Sequence, residues 1–549
     1  MKKNISAAAA LLLASALLSA QNVNQTVSVT NDYKSALPEF EKKTLEVAVP
    51  DTLLVFDYKF DYSVFDSPYK GAYEFSPYTV NLTPKVRSTY YNKLYVRAGA
   101  GYTLHPQLDA VYELRPLDNL SLSLFGTGDG YAGKYSAVGS DLGVDPSSSR
   151  TGHDFSTRWG VSGRAAFLRS DLTFEAAYNG IFASSLQETS RYNGATVGAR
   201  LKSNGERGSY FYYDISAAYT YGHDSFVTYG GGISDNDFLI KGTVGPVLDG
   251  KYRFLCDFSA ETDYTLGQIE SHNSLFKAVP RLEFGFGPVS VSAGAMMGFA
   301  SGENMVLRPD LRADARFFSG VLDVWARVKG DESVASYNVM KQRSHFYTAP
   351  WNAGTGDFEY EKSLDASIGA AASVGSFSGE LSAGYSFLRN SMCETFCEGF
   401  ALDGTPGGLC EAYRWLDYNQ LHAEAAADWT SERLQVDALM GFRLTDFMGE
   451  TPDVYAVPML SGNLRAVYNW SRRIFAGVWV QGCTSRSNPS SENLSVPGWI
   501  NLGLSGRYVL SQTWSLWAEA GNLLNQNIRN ELLYVRRGPW LTVGACLTL

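Results

Sequence analysis

Two superimposed rhythms run through this chain from residue 91 onward, and together they leave few folds open. Stretches of about ten residues alternate apolar and polar side chains, and the turns between them alternate short and long. In residues 107–115, Leu108, Ala110, Tyr112 and Leu114 share one face. Such a strand suits lipid on one face and water on the other. Because lipid offers the backbone no hydrogen-bond partner, the pattern predicts a transmembrane antiparallel β-barrel without free edges.

The strand count and the turn lengths support the same fold. We predict about 22 strands, an even number as single-chain outer-membrane barrels require. Tight turns such as Gly287-Pro288 follow even-numbered strands, and long loops, including 129–153, 331–357 and 391–412, follow odd-numbered ones. We therefore expect short periplasmic turns, long extracellular loops and both barrel ends in the periplasm. A soluble propeller is the main alternative, but the chain lacks a recurring repeat of about 40 to 50 residues.

The first part of the chain predicts export followed by a separate segment. Residues 1–20 combine two lysines, an apolar run and a small-residue cleavage site, which predicts a signal peptide. A retained helix is the alternative, but the run is shorter than the roughly 20 residues that span a bilayer. Residues 21–86 are rich in aromatics and broken by prolines. We expect this periplasmic segment to occlude the lumen or bind a partner, with a floppy leader as the alternative, and residues 87–549 to form the barrel.

Charge and cysteine content exclude several classes of protein. The net charge of -10 argues against nucleic acid as a partner. Cys393, Cys397 and Cys410 fall in one predicted loop, where two of them could pair in an oxidising compartment. A zinc site there is the alternative, but no histidine lies in that loop. We find no catalytic, cofactor-binding or metal-binding motif, so we predict no enzyme, no cofactor and no metal site.

Charged residues define the predicted inner face. An Arg or Lys on the lipid side costs about 2 to 4 kcal/mol at the midplane, so the charged faces must line the lumen. This wall is either a permeation surface for a polar solute or a salt-bridged wall that rigidifies the barrel. The candidate lumen-lining residues are Arg253, Asp257, Glu261, Arg308, Asp310, Arg312, Asp314, Arg316, Asp109 and Glu113.

The end of the sequence resembles the end of a TonB-dependent receptor. Residues 521–526 read Gly-Asn-Leu-Leu-Asn-Gln, similar to the family's motif at the penultimate strand, and 539–549 resemble its last strand. The resemblance implies a 22-stranded barrel and a transport role, but the segment before the barrel is too short for the family's plug domain. One further stretch is similar to the TonB box, which pairs with the energy-transducing partner TonB. It consists of Thr26, Val27, Ser28, Val29 and Thr30.

Two functions follow from these observations. The first is an outer-membrane barrel of the TonB-dependent-receptor type, without its own plug, that takes up or passes a solute in a Gram-negative cell. The second is a non-transporting scaffold or assembly subunit of an outer-membrane protein complex. The expected partners are outer-membrane lipid and an envelope protein, either a lipoprotein, a plug-like subunit or TonB.

Overall fold

A computed structural model describes most of the chain from residue 93 onward. The predicted signal peptide, the segment 21–86 and the TonB-box-like residues 26–30 lie outside the described residues. The described ranges are 93–138, 144–184, 189–204, 211–227, 231–248, 252–267, 270–347, 360–400, 406–536 and 538–549.

Most of these residues belong to antiparallel strands, and the described part also contains one short helix, α1 (Tyr337–Arg343), and one 3₁₀ turn at Phe318–Gly320. The strands are β1 (Leu94–Tyr102), β2 (Gln107–Leu117), β3 (Leu120–Val138), β4 (Val144–Ala166), β5 (Ser170–Ser184), β6 (Thr189–Ser203), β7 (Phe211–Phe226), β8 (Gly232–Leu248), β9 (Tyr252–Gly267), β10 (Ser271–Phe286), β11 (Val289–Ala300), β12 (Val306–Phe317), β13 (Leu322–Val334), β14 (Tyr360–Val374), β15 (Phe377–Phe400), β16 (Pro406–Thr430), β17 (Leu434–Asp446), β18 (Leu460–Trp470), β19 (Ile474–Cys483), β20 (Arg486–Asn488), β21 (Ser491–Val496), β22 (Trp499–Val509), β23 (Trp514–Gly521), β24 (Val535–Arg536) and β25 (Trp540–Thr548).

The sheet closes on itself. Strands β1 to β19 pair in chain order, β19 pairs with β22 and β22 with β23, and β25 pairs with both β23 and β1, where Gly99 lies opposite Gly544. This closure makes a ring of 22 strands, which confirms the predicted fold and strand number. The remaining three strands are accessory, because β20 and β21 form a small hairpin and β24 adds two residues to the edge of β3.

The two ends of the barrel differ. At one end, which we call the turn end, the connections are tight, and several need left-handed backbone: Gly287 has φ 56°, and Ser471 and Arg472 have φ 53° and 58°. The other end, the loop end, carries the connection that includes α1, the β20–β21 hairpin and residues 522–536. Strand β1 begins and strand β25 ends at the turn end, where the Leu94 amide donates to the Leu549 carbonyl at 3.0 Å.

Two of the predicted long loops are wrong. Residues 129–138 and 144–153 continue β3 and β4, and residues 391–400 and 406–412 continue β15 and β16. These four strands have 19 to 25 residues, whereas about 9 to 11 residues cross a bilayer. Beyond the lipid, neither strand face meets hydrocarbon, so the apolar alternation fades although the backbone pairing continues. The third long connection, 331–357, contains α1, whose N-cap Ser336 accepts a hydrogen bond from the Val339 amide at 3.3 Å.

The outer surface of the barrel is apolar. Many large apolar side chains on the strands are exposed, among them Ile368 at 65% and Leu381 at 62% of their area, and apolar surface of this extent marks contact with a membrane or a partner. Aromatic side chains mark both edges of this band, with Trp429 and Trp470 at the turn end and Phe299 at the loop end. Among the described residues, no helix has the length and apolar character to cross a bilayer.

Candidate functional site

The inner wall of the barrel carries a charged recess near the turn end. It has a volume of about 910 Å³ and lies beside the turn Gly287-Pro288. Six of the ten residues predicted to line the lumen surround it, together with Arg281, Glu283, Arg327 and Lys329. The six are Arg253, Asp257, Asp310, Arg312, Asp314 and Arg316.

Ion pairs between arginines and carboxylates neutralise much of the charge in this recess. Arg281 pairs with Asp257 on the neighbouring strand and with Glu283 on its own strand at 3.0 Å. Arg312 donates to Asp314 at 2.7 Å. Because these side chains are partly solvated, each pair contributes no more than about 1 kcal/mol to stability. The arrangement therefore gives a polar surface of mixed charge.

The other four predicted residues lie apart from this recess. Their positions are Glu261 on β9, opposite Leu239 and Leu275; Arg308 on β12, which donates to the Ser363 carbonyl at 2.9 Å; Asp109 on β2, paired with Arg97 at 3.3 Å; and Glu113 on β2, paired with Arg115 at 3.0 Å.

The loop end of the lumen is covered by residues 335–347, which we call the lid. The lid leaves β13 and turns inward, so that α1 packs on the inner faces of β6, β7 and β8. Asn338 accepts a hydrogen bond from the Tyr192 hydroxyl at 2.8 Å. A Cβ on Gly222 would lie 1.9 Å from the Asn338 Oδ1 atom, so only glycine leaves room for the lid there.

A buried ion pair holds α1 in place. The Lys341 Nζ atom lies 2.9 Å from Asp224 Oδ2, and both side chains are fully buried. The same aspartate accepts hydrogen bonds from the Tyr337 hydroxyl at 2.7 Å and the Ser190 hydroxyl at 2.7 Å. Lys341 also donates to the Tyr347 carbonyl at 2.9 Å. Every strong polar group of this contact is thus paired, as burial in a low-dielectric site requires.

The lid then reaches the opposite wall. His345 Nδ1 lies 2.6 Å from Asp154 Oδ1 on β4, and the Arg536 guanidinium donates to the other oxygen of that carboxylate at 2.9 Å. Strands β3 and β4 lie nearly opposite β13 in the ring of 22. The lid therefore spans the mouth of the lumen from wall to wall.

Residues 522–534, which we call the closing loop, complete the cover. Phe346 of the lid stacks on Tyr534 with ring centroids 3.9 Å apart and meets the edge of Tyr135 at 5.8 Å. Leu532 and Leu533 are buried in the same hydrophobic cluster. A second cluster surrounds Tyr337. Because two hydrophobic clusters are buried at the loop end, the lid and the closing loop form a small packed core inside the mouth.

Burial shifts the protonation of groups in this core, well outside the apolar band. Burial raises the pKa of Glu411 to about 7, although the Ser344 hydroxyl donates to this carboxylate at 2.6 Å and lowers the pKa in part. Burial likewise raises the pKa of Tyr337 and of Tyr347. It lowers the pKa of Arg529, in the closing loop, to about 10. Glu411 is thus the one among these groups whose charge changes near neutral pH.

The three loop cysteines lie on strands instead. Cys393 and Cys397 belong to β15 and Cys410 to β16, and Cys397 is directly opposite Cys410 in the strand register. Pairing of two of these cysteines stays a prediction, and the register now indicates which two.

Sequence reasoning missed the residues that close the mouth. Asp224 and Tyr337 are 113 residues apart in the chain, and each lies in a stretch without a recognisable motif. The sequence indicated only that residues 331–357 form a long connection. The occlusion predicted for residues 21–86 lies outside the described residues.

The closed ring, the apolar exterior and the charged interior define a membrane-spanning β-barrel of 22 strands, with a lid at one mouth. No protein-family model and no curated protein sequence matches the chain. Solved structures of TonB-dependent receptors match the chain in fold, which confirms the predicted resemblance at that level.

Three of these structures show the extent of the likeness. A mutant of the ferric enterobactin receptor PfeA of Pseudomonas aeruginosa has a TM-score of 0.60 and 12% identity, covering 83% of this chain and 80% of its own. The copper transporter OprC has a TM-score of 0.60 and 12% identity, covering 85% and 82%. The Serratia marcescens hemophore receptor HasR, solved as a double mutant with its hemophore HasA and heme, has a TM-score of 0.61 and 10% identity, covering 83% and 80%.

Proposed function

We propose that this protein is an outer-membrane barrel through which a polar solute is taken up, and that the lid is its gate. The structures it resembles in fold include a siderophore receptor, a copper transporter and a hemophore receptor. Because outer-membrane barrels have short periplasmic turns and longer extracellular loops, the turn end faces the periplasm and the loop end faces the outside of a Gram-negative cell.

One observation carries the proposal: a lid tied to the inner wall stands directly over a lumen lined with charges of both signs. The Lys341–Asp224 ion pair and the Phe346–Tyr534 stack hold the lid closed. The recess near the turn end offers carboxylates and guanidinium groups to a polar solute. A lumen that needed only rigidity would gain nothing from a separate cover, so the two features together favour gated passage.

Planar bilayer recordings test the gate. We expect low conductance from the wild type and stepwise channel openings from Lys341→Met, because the variant leaves Asp224 buried without a cation. The matched control is Arg343→Met, since Arg343 lies exposed on the same helix and pairs with none of the buried groups of the lid contact. Equal, small conductance from all three proteins would reject the gate.

A second function, a scaffold for an envelope complex, is favoured by the size of the cover. Two hydrophobic clusters and the Lys341–Asp224 ion pair at the mouth are more than a frequently opened gate requires. In this case the predicted partner, a lipoprotein or a plug-like subunit, binds the residues before the barrel or the loop end. A pull-down in mild detergent distinguishes the functions: a partner present in one copy per barrel supports the scaffold, and its absence supports transport.

Engagement of TonB belongs to the transport proposal. The five TonB-box-like residues 26–30 are the candidate contact. Deleting them abolishes energised uptake if TonB drives the gate, whereas passive conductance of the Lys341→Met barrel is unchanged. Uptake that survives the deletion rejects TonB as the driver.

A further inference from the structure

Three carboxylates meet where the lid rests on the barrel wall. Asp235 and Asp237 share the inner face of β8, and Asp263 lies on β9 directly opposite Asp237. One carboxylate oxygen of each lies within 4.8 Å of the others. Asp235 and Asp263 are fully buried, so water does not screen the repulsion between these groups.

Hydrogen bonds satisfy only part of this cluster. The Asn338 amide donates to Asp235 at 2.8 Å, its side-chain amide donates to Asp237 at 2.8 Å, and the Thr265 hydroxyl donates to Asp235 at 2.8 Å. The Oδ1 atom of the fully buried Asp263 has no hydrogen-bond partner, and neither has Oδ1 of Asp237. Buried acceptor atoms are nearly always paired, so these two oxygens are open to a ligand.

Two lysines of this part of the barrel are paired with other carboxylates. Lys341 pairs with Asp224 at 2.9 Å and Lys277 with Asp331 at 2.8 Å. Within the described part of the chain, none of the three carboxylates forms an ion pair. A buried carboxylate without a counter-charge costs several kcal/mol. Asp224, by contrast, is neutralised by the chain's own Lys341.

We propose that Asp235, Asp237 and Asp263 bind one calcium ion, with the Thr265 hydroxyl beside it. All four groups offer oxygen, the donor that hard divalent cations prefer, and no histidine or cysteine takes part, so zinc does not fit. Calcium accepts irregular oxygen cages and bidentate carboxylates, whereas magnesium requires near-ideal octahedral geometry. Two strands and a lid supply an irregular cage of this kind.

The position of the ion couples it to the lid. Asn338 donates to two of the three ligands, so neutralising them with calcium keeps both acceptors in place under α1. Calcium therefore stabilises the closed lid. This consequence rests on the proposed gating function, whereas the binding of calcium does not.

Calcium binding to the purified full-length barrel tests the site directly. After treatment with EGTA, titration calorimetry with CaCl₂ in detergent is expected to show one site per chain. Asp263→Asn should bind about 100-fold more weakly or not at all, because ligand charge sets calcium affinity. Asp314→Asn is the matched control, since Asp314 also lies on the inner wall but is neutralised by Arg312 at 2.7 Å.

Thermal unfolding supplies a second readout that does not depend on conductance. Calcium raises the unfolding midpoint of the wild type and of Asp314→Asn, but not of Asp263→Asn, and the heat-dependent gel mobility of each protein shows that its barrel has formed. If Asp263→Asn does not fold, the half-buried Asp237→Asn takes its place. The site is rejected if the wild type binds no calcium, prefers magnesium, or binds as tightly as Asp263→Asn. If the wild type binds calcium but Lys341→Met shows no channel openings, the gate is rejected and the calcium site is retained.

Discussion

Lys341 and Asp224 form a fully buried ion pair, 2.9 Å between Nζ and Oδ2, that joins the helix of the lid to the inner wall of the barrel. Removing one partner of such a pair is costly, because the other charge remains buried and unpaired. This relationship makes the lid a separate unit of stability on a rigid cylinder. It also allows the lid to be loosened without touching the strands.

The first prediction concerns this pair. Lys341→Met destabilises the closed lid by about 3 to 5 kcal/mol. Amide hydrogen exchange in residues 337–347 should accelerate about 100-fold or more, while the strand amides near Leu311 keep their protection. The double variant Lys341→Met/Asp224→Asn should recover most of the protection. Unchanged exchange in the single variant would show that the ion pair does not hold the lid.

The second prediction concerns the coupling of the lid to the closing loop. Phe346→Ala removes a buried ring that stacks on Tyr534 and costs about 3 to 5 kcal/mol. Exchange should therefore rise in residues 528–536 as well as in the lid. Phe299→Ala serves as the control, because Phe299 lies on the outer surface with 44% of its area exposed. An effect limited to the lid would mean that the two segments open independently.

The third prediction is a pH dependence of the lid. The pKa of Glu411 is about 7 in the folded protein, above its ordinary value of 4.5, so the folded state binds the extra proton. Lid stability is therefore highest below about pH 4.5, falls as pH rises towards 7 and then levels off. The charge of Glu394 also raises the pKa of Glu411, whereas the Leu533 amide and the Arg486 guanidinium lower it. Exchange of residues 344–347, corrected for intrinsic rates, measures it.

Glu411→Gln provides the control for this pH dependence. A neutral amide can still accept from the Ser344 hydroxyl but does not ionise. The variant should show a smaller fall in lid stability between pH 4.5 and 8 than the wild type. A slope equal to that of the wild type would assign the effect to another group.

The fourth prediction concerns the charged recess. In a barrel opened by Lys341→Met, the further change Arg281→Gln frees Asp257 and Glu283 and makes the wall acidic. The reversal potential in a KCl gradient should shift towards cation selectivity, most strongly at low salt. Arg472→Gln, in a turn outside the lumen recess, should leave the reversal potential unchanged. Equal potentials for both variants would show that ions do not pass this wall.

The fold was accessible from sequence because lipid imposes one rule on every crossing. The alternation in residues 107–115 corresponds to β2, and the charges from Arg308 to Arg316 lie on one face of β12. Beyond the lipid this rule no longer applies, and the sequence wrongly predicts a loop where β15 and β16 continue to pair. The backbone still pairs there, but neither strand face meets lipid, so apolar and polar side chains no longer alternate.

The lid could not be predicted for a related reason. Its contacts join residues that are far apart in sequence, such as His345 and Asp154, which are 191 positions apart. Each is an ordinary polar residue in its own segment. They come into contact only in the closed barrel, where one loop reaches from one wall to the opposite wall.

The seam between β1 and β25 has a consequence for biogenesis. Gly99 and Gly544 meet across it, although the whole cylinder separates them along the polypeptide. Until β25 is added, β1 and β23 are edge strands whose unpaired backbone groups can pair with another chain. We therefore expect the barrel to close in one cooperative step, with both edge strands protected until closure. A chain that lacks β25 should aggregate rather than form a narrower pore.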